Sequence, residues 1–468
     1  MGGFFGVASK KNCIKDLYYG TDYHSHLGNK RGGLATFDGQ QIHYSIHDIE
    51  NAPFRTKFDS ELTELEGFLG IGAISDTDSQ PLVFQSHLGT YAIATVGLIS
   101  NANELASNIL KDSNDHFMEM TSGRVNQTEL VATIIKSKKS FKTGINAVFS
   151  LIEGSISILI MTNKGIYAAR DKLGRTPVCV GKKTDGYCLT LESCAMLNNG
   201  YNLYHELGPS EIIFLTPEKM QKISPPKKKM QICSFLWMYY GYPAANYEGV
   251  NVECMRYRCG KSLAQDDYIK ADIVAGVPDS GIPYAVGYAN YSNIPYARPF
   301  VKYTPTWARS FLPQNETLRH LVAQMKLILV NELVKDKTLI LCEDSVVRGT
   351  QMKEVGTLLF SYGAKEIHLR SASPPILFRC KFLNFAPTSK TEELAALRAI
   401  IKLEGCLPNS IDEYVNPDTV KYQKMVEVLR QDLGITSLKY NTVENIVKAI
   451  GLPAEKLCTY CYNGKSYE

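Results

Sequence analysis

No apolar run in this sequence is long enough to cross a bilayer: the longest, around Ile156 to Met161, falls far short of the ~20 residues a membrane helix needs. No basic segment followed by an apolar one opens the chain, so export is not expected and a cytoplasmic location is. Charge of one sign is lacking too. Fifty-one basic against 47 acidic side chains leave +4, short of the basic footprint of nucleic-acid binders. Cysteine is sparse: 12 in 468 residues make no disulfide framework, which leaves buried, reactive or metal-bound thiols. What is present is ordinary globular material, 44% hydrophobic and 21% charged. Its length exceeds the ~250–300 residues at which single cores stop growing, so two domains are predicted.

The first two hundred residues carry strand-like runs at Leu69–Ile74, Thr90–Thr95, Ser155–Met161 and Ile212–Leu215, with helical pattern at Thr128–Ser137 and Lys142–Ile152. Strands with a few helices predict a layered α+β domain. Ser224-Pro225-Pro226-Lys227-Lys228-Lys229 then mixes proline with a basic run, as exposed linkers do. The boundary is placed there, giving domains 1–228 and 229–468. Beyond it helix and strand alternate: helices Val252–Lys261, Pro283–Tyr291 and Glu316–Val334, strands Asp272–Val277 and Thr338–Cys342. That is the order of a doubly wound α/β domain, whose ligands bind beyond the carboxyl ends of its strands.

Both strand ends carry candidate chemistry. Leu339-Ile340-Leu341-Cys342 is a buried strand, Glu343-Asp344 end it, and Ser345-Val346-Val347-Arg348-Gly349-Thr350 lead into a helix starting near Gln351. Hydroxyls, loop amides and a helix N-terminus suit phosphate, and adjacent carboxylates suit Mg²⁺ or sugar hydroxyls. The plain alternative is a strand-to-helix turn that carries two acids and a cap. Pro278-Asp279-Ser280-Gly281 follows the other strand.

The Glu343–Thr350 stretch resembles the signature of type I phosphoribosyltransferases, which bind phosphoribosyl pyrophosphate (PRPP). The resemblance implies that Glu343 and Asp344 hold the ribose hydroxyls and Mg²⁺, and that Ser345, Val346, Val347, Arg348, Gly349 and Thr350 hold the 5′-phosphate. Asp279, Ser280 and Gly281 match the pyrophosphate loop, with Ser280 at its metal-associated hydroxyl. Lys302–Phe311 resembles the loop that closes over PRPP, and Lys302, Arg309 and Lys326 are its cationic candidates for catalysis, the bland alternative being a solvated surface. Closure expels water from an oxocarbenium-like centre. Two departures stand out: Glu343 where the family commonly has aspartate, and Thr304-Pro305-Thr306 where it has Asn-Arg-Tyr.

Over nearly its whole length the chain resembles the amidophosphoribosyltransferase family, through Glu248-Gly249-Val250-Asn251-Val252, Ser373-Pro374-Pro375, Ala169-Arg170-Asp171 and Glu192-Ser193-Cys194-Ala195. This implies an N-terminal-nucleophile αββα glutaminase sandwich followed by an α/β phosphoribosyltransferase domain, assembled as a dimer or tetramer and open to nucleotide inhibitors. Cys233, Cys380, Cys458 and Cys461 match the cluster ligands of the family's 4Fe-4S branch, with Zn²⁺ the generic alternative for four thiolates. Cys13, Cys179, Cys188, Cys194, Cys254, Cys259, Cys342 and Cys406 have no such pairing and read as packing residues.

The glutaminase machinery departs from the family. Gly2 stands where a nucleophilic cysteine should follow Met1, and glycine has nothing to attack with. The family's His-x-Arg-Tyr segment, whose arginine grips the glutamine carboxylate, aligns with Ala73-Ile74-Ser75-Asp76. Its His-Asn-Gly-Asn oxyanion segment aligns with Thr95-Val96-Gly97-Leu98, its Ser-Asp pair with Asn126-Gln127, and its His-Arg-Gly-Gln run with His26-Leu27-Gly28-Asn29. Losing one oxyanion donor alone typically costs ~10²–10³ in rate. The expectation is a folded pseudoglutaminase joined to a PRPP-dependent transferase that uses ammonia, ammonia from a glutaminase partner, or another amine. A non-catalytic PRPP or nucleotide sensor and an ordinary glutamine-using enzyme are the rivals.

Overall fold

The structure, a computed structural model, describes residues 2–112, 116–118, 120–121, 123–302, 327–383 and 393–465. The chain divides into two compact units: Met1–Cys233 with Ala244–Gly249 and Cys380–Phe385, and Ser234–Pro243 with Val250–Arg379 and Ala386–Glu468.

Two antiparallel sheets build the first unit. Among the described residues one has seven strands, in the order Asn202–Glu206, Cys179–Lys183, Gly186–Thr190, Gly2–Ser9, Leu69–Ser75, Arg31–Phe37 and Ile42–Asp48. The other has six: Met220–Ser224, Ile212–Leu215, Gly165–Ala169, Gly154–Thr162, Gly89–Ile99 and Leu82–Ser86. Gly2–Ser9 is buried at every position, which places it inside the sandwich rather than at its surface. Helix Ile14–Asp22 covers the seven-stranded sheet through Ile14, Leu17 and Tyr18, which pack with Phe5, Val7, Leu34 and Ile74. Helices Gln127–Lys136 and Phe141–Leu151 cover the six-stranded sheet, burying Leu130, Val131, Ile145 and Val148 beside Tyr91, Ile93, Ile158 and Ile160. Both start at side-chain caps: Asn126 accepts from the amides of Thr128 and Glu129, and Ser140 forms a capping box with Thr143. The αββα layering expected from the resemblance is present.

The second unit holds a parallel sheet ordered Ile273–Gly276, Thr338–Glu343, Glu366–Ser371 and Ser437–Tyr440. Helices Val252–Ala264, Ile282–Ser292, Thr350–Ser361 and Val420–Leu433 belong to it, so the alternation read along the sequence holds. One element differs. The apolar pattern predicts a helix to Val334, but Leu327–Leu329 is a strand paired with Phe300–Lys302, and Asn331–Leu333 forms a single 3-10 turn. The pairing supplies these backbone groups with partners across the ribbon, and that tertiary bond set overrides a helical period. Residues 303–326, including Arg309 and Lys326, lie outside the described residues.

Candidate active site

Parallel pairing sets the candidate site. Gly276 lies opposite Cys342, so the loops leaving these two strands emerge side by side. Val277 donates its amide to the Cys342 carbonyl at 3.0 Å, and Gly281 donates to the Val277 carbonyl at 2.8 Å. A Cβ at Gly281 would lie 2.4 Å from that same Cys342 oxygen. Only glycine permits the approach, which brings the Ser280 hydroxyl into a hydrogen bond with Asp344. Asp344 Oδ1 also accepts from the Ser345 hydroxyl at 2.5 Å.

The loop then runs to a helix start. Val346 is buried beneath it, the Val347 carbonyl accepts the Ala395 amide at 2.8 Å, and Gly349 takes a left-handed φ of 76° at the cap of Thr350–Ser361. Arg348 Nη2 meets Glu393 Oε2 at 2.8 Å, and Arg398 Nη2 donates to the Arg348 carbonyl at 2.6 Å. The turn thus presents Ser345, exposed Arg348 and exposed Thr350 around the first amides of a twelve-residue helix, an anion cradle by geometry. Asp279 is exposed and pairs with Lys302 at 2.7 Å. The structure therefore gathers Ser280, Gly281 and Glu343 to Thr350, with Lys302 and Asp279 forming a surface ion pair.

Glu343 and Asp344 are both buried, at 6% and 3% exposure. Burial, and then the Asp344 charge beside it, holds the Glu343 carboxyl well above the usual carboxylate range. Burial raises Asp344 as well, against the Ser280 and Ser345 hydroxyls and the Arg256 guanidinium. Glu343 Oε2 has no hydrogen-bond partner. An orphaned buried oxygen within a carboxylate pair is costly, and a divalent cation or a sugar diol relieves it. These residues fit Mg²⁺, which commonly takes one or two carboxylates and completes its shell with water and phosphate. Arg256 escaped sequence reading because a lone arginine in a helix looks like a solvated face. It is buried, donating to the carbonyls of Trp237 at 2.8 Å, Tyr239 at 3.1 Å and Gly241 at 3.0 Å.

The first unit has its own pocket. Its wall is Gly2, Ser75, Thr77, Asp78, Gln80, Thr95, Val96, Gly97, Leu98, Gln127 and Ile156. The separate segments that align with the family's glutamine contacts, at Gly2, Ser75, Thr95–Leu98 and Gln127, therefore converge on one place. The cavity there is about 20 Å³, room for roughly one water. A Cβ at Gly2 would meet the Ile74 carbonyl oxygen at 2.2 Å, because Gly2 pairs with Ser75 in the sheet. The polar groups that remain are turned inward. Gln127 Oε1 accepts from Ile99 N at 2.6 Å, Gln80 Oε1 accepts from Thr95 N at 2.7 Å, and Asn126 Nδ2 donates to Ser79 O at 2.9 Å. His26 faces elsewhere, 3.1 Å from buried Glu192, which also accepts from Tyr247. Asp78 and Gln80 were missed by motif reading, since Asp76-Thr77-Asp78-Ser79-Gln80 looks like a polar turn.

The four cysteines proposed as cluster ligands fall two in each unit: Cys233 and Cys380 in the first, Cys458 and Cys461 in the second. Cys233 and Cys458 are buried, Cys380 and Cys461 half-buried. Among the described residues no three His, Cys, Asp or Glu side chains meet as a metal site. Six of the eight cysteines read as packing residues are buried, while Cys254 and Cys406 are exposed. For those two the packing expectation fails, because each sits on a solvent-facing side of its segment.

A glutamine amidotransferase domain family matches residues 69–198. Curated amidophosphoribosyltransferases from Bacillus subtilis and Methanocaldococcus jannaschii are each 29% identical, over 99% of this chain and 93% and 97% of theirs. A solved glutamine PRPP amidotransferase from B. subtilis, complexed with ADP and GMP, matches with a TM-score of 0.85 at 29% identity, covering 99% of this chain and 97% of that one. A structure described as the allosteric regulatory enzyme of purine biosynthesis matches equally, covering 96% of its chain. No helix among the described residues is long and apolar enough to cross a membrane.

Proposed function

We propose that this chain, whose sequence and fold group it with the amidophosphoribosyltransferase family, transfers the phosphoribosyl group of PRPP to ammonia or another amine, in a purine-type pathway, without hydrolysing glutamine itself. For the transfer half, the support is the meeting of Ser280, Glu343, Asp344 and Ser345 above a helix N-terminus. The 5′-phosphate sits in the Ser345–Thr350 loop, the ribose hydroxyls face Glu343 and Asp344, and pyrophosphate lies by Asp279–Gly281. Ser280, Glu343 and Asp344 would hold Mg²⁺, which would supply charge neutralisation for the departing pyrophosphate. Lys302, Arg309 and Lys326 carry the cationic side of that role. The acceptor amine attacks the anomeric carbon and gives phosphoribosylamine when it is ammonia.

The observation that carries the second half is the pocket at Gly2. Its wall has no cysteine and no arginine, and its free space is about that of one water. Nucleotides such as the ADP and GMP of the B. subtilis enzyme are candidate inhibitors here. A 4Fe-4S cluster on Cys233, Cys380, Cys458 and Cys461 is proposed from ligand chemistry alone. The test is pyrophosphate release from PRPP by anaerobically purified protein with glutamine, ammonium or no amine. Ammonium-dependent release with none from glutamine is expected. Glutamate release from glutamine overturns the pseudoglutaminase reading, and inactivity with every amine leaves a PRPP-binding regulator.

A further inference from the structure

What remains of the first unit's pocket is a small polar chamber with one charge in it. Among the residues of its wall, Asp78 is the sole ionisable side chain. It is 8% exposed. Its hydrogen bonds come from Gln127 N at 3.3 Å and from the Thr77 side chain, and no cation among the described residues acts on it. An ionised carboxylate held away from bulk water without a counter-charge is expensive, and such groups are ordinarily paired or coordinate a cation. Burial indeed pushes Asp78 up to about 6, still below neutral, so the charge is there to be satisfied. The chamber's size favours a small occupant: about 20 Å³ is room for roughly one water-sized species.

We propose that this pocket binds one dehydrated monovalent cation of water size, ammonium or potassium, against the Asp78 carboxylate. Ammonium donates four hydrogen bonds, and the wall holds the Asp78 carboxylate with the hydroxyl residues Ser75 and Thr77. The site deepens, and rests on, the reading that this unit no longer takes glutamine: the vacated pocket holds the simple amine in place of its amide precursor. Nothing is transferred there, so binding is read without turnover.

The experiment is thermal unfolding of the full chain at pH 7.5 and constant ionic strength in the chlorides of ammonium, potassium, sodium and tetramethylammonium. It uses protein of known intact mass, since loss of Met1 would leave the Gly2 α-ammonium in the same wall. Ammonium or potassium is expected to raise the melting temperature by roughly 2 °C or more over tetramethylammonium, the signature of a ligand held by the folded state. Which of the two acts identifies the ion. Asp78→Asn, isosteric and still able to accept from Gln127, is expected to abolish the difference and the broadening of the ¹⁵N-ammonium signal by the wild-type chain. Equal melting in all four salts, or an ammonium effect that survives in Asp78→Asn, overturns the site. Glutamate release is measured separately, so loss of the ion site leaves the pseudoglutaminase reading standing, and the reverse.

Discussion

At the scale of single residues, the bare glycine at position 2, where the proposed reading puts a lost nucleophile, is a matter of space as much as of chemistry. Restoring it by Gly2→Cys puts a Cβ 2.2 Å from the Ile74 carbonyl oxygen, inside the closest approach real side chains make. The strand must shift, and overpacking of this kind costs about 1–3 kcal/mol. The variant is expected to release no glutamate from glutamine and to melt several degrees lower. Turnover in Gly2→Cys would show that the pocket opens. Glu343 gives the opposite trade. Its folded pKa lies well above the ordinary 4.5, so the folded chain holds a proton the unfolded chain releases. That contribution is full below pH 4.5 and is lost as pH rises towards the folded value. Glu343→Gln removes the titration. It is expected to raise the ligand-free melting temperature at neutral pH by a few degrees (~2–4 °C per kcal/mol) and to cut PRPP turnover at least ~10-fold. A variant that is less stable and fully active refutes the placing of Glu343 at the metal.

At the scale of elements, most of the candidate transfer site was legible because it is local. One buried strand, two acids and a glycine-bearing loop lie within twelve consecutive residues, and the structure keeps them so. The pocket at Gly2 was legible only by alignment to a known pattern, since its wall comes from five separate segments. Leu327–Leu329 was illegible because its partner strand, not its own period, decides its conformation. The same holds for the pair that ties the parallel sheet to the loop after Val252–Ala264. Arg370 is buried and its guanidinium meets the Asp267 carboxylate, whose side chain is 5% exposed, with Nη2 to Oδ1 at 3.1 Å, while Asp267 also accepts from Tyr288 at 2.9 Å. Nothing in either residue's neighbourhood announces this. Burial would raise Asp267, but Arg370 and Tyr288 outweigh it and hold the carboxyl below its usual 3.8. The pair therefore stabilises above pH 3.8 and is lost as pH falls through the folded value. Arg370→Ala strands a buried carboxylate and is expected to cost about 3–5 kcal/mol in urea unfolding at pH 7, shrinking as the pH is lowered below 4. A loss under about 1 kcal/mol would mean that water reaches the pair.

At the scale of the whole molecule, the chain's order and its compact units do not coincide. The first unit recruits Ala244–Gly249 and Cys380–Phe385 from the far side of the linker, a return the proline-lysine run at 224–229 could not reveal. Arg175 lies 3.5 Å over the Phe382 ring within that unit, a stacking contact that helps hold the returning segment. Cys380 opens this segment, and Cys233 closes the first long one. The other two cysteines of the proposed cluster stand at the carboxyl end, where the amides of Leu377 and Phe378 donate to the Cys461 carbonyl at 3.0 and 3.1 Å. Four thiolates from chain positions so far apart make sense as cluster ligands because a bound cluster would tie late segments to early ones, adding its binding energy to folding. Anaerobically purified protein is then expected to hold about four iron and four labile sulfide per chain, with a broad visible absorbance that dithionite bleaches. Cys458→Ser should lose most of that iron and melt lower. Cys254→Ser, changing an exposed thiol outside the set, should keep both. Zinc in place of iron in the wild-type chain, retained without sulfide, assigns the four cysteines to a tetrahedral zinc site and removes the cluster from this protein.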